Sequence, residues 1–120
     1  MKLSWDCIRE ILVAIEAEPH VTCQLHPRRV RGWDEDEVSG HMYLLHERGI
    51  ITAKCVPLGD DRVFCVGTGL TFEGHELLGK LNSPPLWLGI KRMAHEKGVE
   101  VTFDLVKTLA PIVLAALAKH

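Results

Sequence analysis

The residues of this chain that could do chemistry are glycines ahead of a helix, histidine–glutamate pairs, and cysteines with a histidine close by. The stretch VGTGLTFEGHELL, residues 66–78, combines the first two. A dinucleotide loop needs G-x-G-x-x-G, its last glycine opening a helix so that backbone can approach a pyrophosphate. Here Gly67 and Gly69 are followed by the bulky Phe72, and no βαβ unit surrounds them. The stretch reads instead as a strand-to-helix corner capped by Thr71. Zinc hydrolysis needs a second histidine four residues after the first, one turn along the same face. After His46, His75 and His95 those positions hold Ile50, Gly79 and Val99. Cys23-x-x-His26 offers half a zinc site with no second close pair. Cys23 then reads as a small strand residue and His26 as a polar loop residue. No nucleophile stands beside an acid–base partner, so the expectation is a non-enzyme: no catalytic residue, metal, cofactor or small-molecule substrate.

The elements that carry these residues belong to a chain of 120 residues, enough for one domain with a real core. Its apolar share of 47% and charged share of 25% are those of an ordinary globular protein. A net charge of −2 gives no global pull toward nucleic acid or anionic membrane. Asp6, Arg9 and Glu10 interrupt any signal-peptide core, and LAPIVLAALA at 109–118 is about half the ~20 residues a spanning helix needs. A cytoplasmic protein with no membrane partner is expected.

Apolar residues at Trp5, Ile8, Ile11, Leu12 and Ile15 predict a helix over 5–17, with Ser4 as cap and Pro19 beyond its end. HVTCQL at 20–25 alternates and predicts a short strand, and 26–33 reads as a loop. Asp34 caps a helix over 35–48, whose first turn holds Glu35, Asp36 and Glu37 at the positive end of the dipole. A hairpin follows, ITAKCV and RVFCV around PLGDD. Further helices are expected over 72–81, from Pro84 to about Gly98, and over 103–118 with Pro111 as a kink.

Two registers compete in the hairpin. A Gly59-Asp60 loop pairs Cys55 with Phe64 and gathers Ile51, Ala53, Cys55, Phe64 and Val66 on one face. A three-residue loop pairs Cys55 with Cys65 but sets Lys54 among apolar residues. The first gives the cleaner face and a glycine suited to a II′ turn, so no Cys55–Cys65 disulfide is expected. Helix, strand, helix and hairpin together are winged-helix grammar, with helix 35–48 in the recognition position. The fold class is α+β: a winged-helix-like core over 1–82 with a three-stranded sheet, extended by two C-terminal helices over 83–120, in one domain.

Met1, Lys2, Trp5, Asp6, Ile8, Arg9, Glu10, Ile11 and Leu12 match a pattern close to M-K-x-x-W-D-x-I-R-E-I-L. His41, Leu45 and Gly49 match an aromatic-His-x-x-x-L-x-x-x-G stretch, with Gly40 in place of the aromatic. Leu70, Thr71, Glu73, Gly74, His75, Glu76 and Leu78 match L-T-W-E-G-H-E-F-L-D, from which Phe72, Leu77 and Gly79 depart. The chain thus resembles an uncharacterised family of small bacterial and prophage proteins with a winged-helix-like core. That resemblance implies a fold and a prophage connection, and no activity.

The leading expectation is a small DNA-binding regulatory protein of prophage type, with one alternative. As a DNA-binding regulator, the chain would neutralise phosphates of double-stranded DNA with Arg28, Arg29, Arg31, Lys54 and Arg62, and turn Ser39 and Tyr43 toward the groove. The acids of 34–37 oppose this, because carboxylates at that helix start repel phosphates. The alternative is a protein adaptor whose acidic helix start meets a basic partner. The last helix is apolar nearly all round, and Leu105, Leu109, Ile112, Val113 and Leu117 are its candidate homodimer contacts.

Overall fold

The computed structural model describes residues 1–119 and is α+β: five helices and one antiparallel hairpin. The chain divides into two compact units, Met1–Leu78 and Gly79 onward.

In the first unit, α1 (Trp5–Glu16) starts where the Ser4 hydroxyl accepts the Cys7 N–H at 3.2 Å. Its apolar stripe of Cys7, Ile8, Ile11, Leu12 and Ile15 is buried. A 3-10 turn follows at Pro27–Arg29. Helix α2 (Glu35–Glu47) is capped by Asp34, whose carboxylate accepts the Glu37 N–H at 2.9 Å, and it buries Val38, Ser39, His41, Met42 and Leu45. Gly49, at φ 72°, turns the chain into the hairpin.

The hairpin pairs β1 (Ile51–Gly59) with β2 (Arg62–Leu70). Its register is not the expected one. Asp60 and Asp61 form the turn with φ of 52° and 60°, and aspartate tolerates that left-handed region better than most residues. Gly59 pairs with Arg62, an irregularity at Leu58 follows, and Cys55 then stands opposite Cys65. The two are joined in a disulfide, contrary to expectation. One residue of slip exchanges the faces. Cys65, Gly67 and Gly69 point inward, while Phe64 and Val66 are only half-buried.

The expected strand over 20–25 is reduced to one bridge. Leu25 exchanges backbone bonds with Gly67 at 2.8 and 3.0 Å, and Cys23 N–H reaches the Thr68 carbonyl at 2.9 Å. Leu25 is buried, but Val21 is 95% exposed, and the first half of the segment forms no ladder with the sheet. The sheet therefore has two strands rather than three.

Helix α3 (Phe72–Leu81) begins where the Thr71 hydroxyl accepts the Gly74 N–H at 3.1 Å. In the second unit, α4 (Pro84–Glu96) opens on two prolines whose missing N–H groups would be unsatisfied there anyway. Thr102 caps α5 (Phe103–Leu117), and Pro111 lies inside that helix without ending it. Leu86, Ile90 and Ala94 of α4, and Val106, Leu109, Ala110 and Val113 of α5, are buried. Gly89 lets the helices close up, since a Cβ there would sit 2.5 Å from a Val113 methyl. Among the described residues no helix is long and apolar enough to cross a membrane.

Candidate functional site

The glycine stretch serves packing. A Cβ on Gly67 would stand 3.1 Å from the Ile15 δ-methyl, and one on Gly69 would stand 3.1 Å from the Val21 carbonyl oxygen. Gly67 N–H is committed to Leu25, so it is not part of an anion cradle. A Cβ on Gly74 would collide with the Ile50 carbonyl. Phe72, by contrast, is 87% exposed at the start of α3.

Cys23 and His26 each have structural partners. The Cys23 thiol lies 3.6 Å from the Gly67 carbonyl, and His26 Nδ1 accepts the Arg28 N–H at 3.2 Å while its ring packs on Phe64. Among the described residues, no group of at least three His, Cys, Asp or Glu is arranged to hold a metal ion. Burial, helped by Glu37 and Glu10, pushes the Cys7 thiol up to about 12. Burial and then Glu18 also raise Cys23, against smaller opposing effects of the Leu25 backbone and Arg29. Thiols raised this way carry little thiolate at neutral pH and are poor nucleophiles.

The residues predicted to meet nucleic acid are dispersed. Arg28 and Arg31 are exposed in the loop before α2, and Lys54 is exposed on β1. Arg29 is held by Glu18 at 3.0 Å, and Arg62 lies 3.8 Å from Asp36 across the mouth between α2 and the turn. Ser39 cannot face a groove in DNA: it is 1% exposed, and its hydroxyl accepts the Cys65 N–H at 3.1 Å. A hydroxyl next to Val38 enters the core because an inward strand N–H needs a partner there. Tyr43 is exposed, as expected.

The predicted dimer residues also divide. Leu109 and Val113 are buried, and Leu105 is half-buried. Ile112 and Leu117 are 49% and 42% exposed, and Ile112 and Leu114 flank the buried stripe of α5 on opposite sides.

What the sequence reading missed is a groove of about 430 Å³ between the first turns of α2 and the hairpin tip. Met1, Gly40, Leu44 and Val63 line it with apolar surface. Around them stand Asp34, Asp36, Glu37 and Asp61, with Arg62 as the cation. The groove passes over Gly40, against which the Met1 sulfur lies in place of a side chain. Helical spacing of Asp36, Gly40 and Tyr43 could have suggested one wall. The other wall depends on the turn at Asp60–Asp61.

The comparisons agree on kinship and are silent on activity. Residues 2–100 match the family described as "Hypothetical protein (DUF2513)". An "Uncharacterized protein" of Haemophilus influenzae is 30% identical over 117 residues, which cover 98% of each chain. No solved structure matches. The matched span takes in the first unit from Lys2 onward and about half of the second, well over half of the chain, so the chain belongs to the DUF2513 family of uncharacterised proteins.

Proposed function

We propose that this protein is a small regulatory accessory factor of prophage type. In this reading it acts in the cytoplasm, catalyses no reaction, and works by binding other proteins through a winged-helix-like core. The observation that carries the reading is the Asp36–Arg62 contact. The cation expected to touch phosphate from the hairpin is turned instead toward the acidic start of α2. With Asp34, Glu35 and Glu37 also exposed, the surface in the recognition position is negative and would repel a nucleic-acid backbone. Self-association is part of the proposal, through α5, on which Ile112 and Leu117 are exposed.

A DNA-binding regulator is the second reading. It is favoured by the bridge of Leu25 to β2, which sets a third extended segment beside the hairpin, and by exposed Arg28, Arg31 and Lys54. Fluorescence anisotropy of a labelled random duplex separates the two readings. The adaptor reading expects no binding even at low salt. Binding that falls steeply with salt, and disappears in Arg28→Glu/Arg29→Glu/Arg31→Glu, would replace it with the second.

A further inference from the structure

We infer that the groove over Gly40 is a docking site for a basic segment of a partner protein, one that presents arginine beside an apolar residue. This deepens the adaptor reading and rests on it. The groove joins an apolar floor to an acidic rim, and each half restricts the occupant. Around it stand four carboxylates, Asp34, Asp36, Glu37 and Asp61, against the guanidinium of Arg62, which Asp36 already engages, and the α-ammonium of Met1. The excess negative charge calls for a cation from outside.

The floor asks for more than charge. Met1, Leu44 and Val63 offer apolar surface, and over Gly40 the groove is floored by the movable Met1 thioether rather than by a fixed side chain. Arginine fits both parts: its aliphatic stem can lie on apolar surface while its head meets carboxylates in a forked, bidentate geometry. Tyr43, 41% exposed beside the groove, adds a ring face for a planar guanidinium. Met1 supplies a flexible thioether that can adjust to the entering chain. A bare ammonium uses the rim and less of the floor, so lysine should bind more weakly.

The test uses the full chain and fluorescein-labelled nine-residue peptides centred on Arg-Leu-Arg, Lys-Leu-Lys or Glu-Leu-Glu, read by anisotropy at low salt. The expected result is saturable binding of the arginine peptide, weaker binding of the lysine peptide, and none of the glutamate peptide. Asp36→Asn/Glu37→Gln removes charge at constant size, and Gly40→Trp fills the floor. Each should weaken the arginine peptide at least about tenfold, the loss expected when charge-assisted bonds or their site are removed. Circular dichroism should stay unchanged, and the two variants disturb the fold in different ways, so one folded variant suffices. No saturable binding, or binding that neither variant weakens, overturns the groove assignment. Self-association of the chain that is lost in Arg28→Glu/Arg31→Glu and competes with the peptide overturns the foreign partner in favour of a second copy's loop. The adaptor reading falls separately, by salt-sensitive duplex binding. Peptide silence without duplex binding overturns the groove alone.

Discussion

The backbone N–H of Ser4 donates to Nε2 of His41 at 2.9 Å, joining the start of α1 to the middle of α2. Since Nε2 accepts, the ring proton is on Nδ1, which donates to the Glu37 carbonyl at 2.7 Å. The imidazole is fully buried between these two groups. His41→Phe keeps most of the volume and abandons both bonds, leaving Ser4 N–H without its partner. Urea unfolding should show a loss of about 1–3 kcal/mol. An unchanged midpoint would mean that the ring contributes only bulk.

The Cys55–Cys65 bond can be counted. Protein denatured without reductant should titrate two thiols, Cys7 and Cys23, and four after reduction. Closing a loop of this length stabilises by about 2–3 kcal/mol in the chain-entropy view, so reductant should lower the urea midpoint accordingly. Four thiols before reduction would refute the bond.

Two glycines of α3 should respond to alanine with opposite signs. Gly74→Ala drives a methyl into the Ile50 carbonyl, a backbone atom that cannot swing aside, and should cost about 2 kcal/mol or more. Gly79 has nothing within 4 Å of an added Cβ, so Gly79→Ala should gain about 0.5–1 kcal/mol from helix propensity. Thermal melts of the two variants decide it, and shifts in the same direction would contradict the packing described for Gly74.

The thiol of Cys7 gives a pH dependence of defined sign. Burial pushes it from the ordinary 9.0 up to about 12 in the fold, so between those values the folded chain holds more protons. This contribution is complete below pH 9 and fades as pH rises toward 12. Stability measured at pH 7, 9 and 10.5 under reducing conditions should therefore fall more steeply for the native chain than for Cys7→Ala. Parallel curves would show that Cys7 is not insulated from water.

Self-association through α5 predicts a dimer mass by light scattering at micromolar concentrations and above. Ile112→Glu/Leu117→Glu should give a monomer with little change in melting temperature, because both residues are already exposed. Dimerisation that survives this change would move the contact elsewhere.

Local chemistry made much of the fold legible. Ser4, Asp34 and Thr102 cap where helix signals said they should, and Gly49 and Gly98 follow the ends of α2 and α4 at positive φ. The hairpin itself was legible but its register was not, because the favoured glycine at 59 is not in the two-residue turn. Two aspartates adopt the left-handed backbone there instead, and Leu58 absorbs the offset. Ser39 escaped for a related reason: a polar helix residue reads as exposed until the strand N–H it serves is known. The groove was hidden too, since Asp61 and Val63 approach α2 only once the register is fixed.

Thr71 ties together more than the helix it begins. Its hydroxyl donates toward the carbonyls of Gly49 and Ile50 at 2.6 and 2.9 Å and accepts from Gly74. One oxygen thereby fastens the exit of α2, the entry of β1 and the first turn of α3. Segments sharing such a knot cannot loosen one at a time: freeing the first turn of α3 also uncovers the end of α2. The joint behaves as a rivet rather than a hinge, so the end of α2, the start of β1 and the start of α3 move as one body.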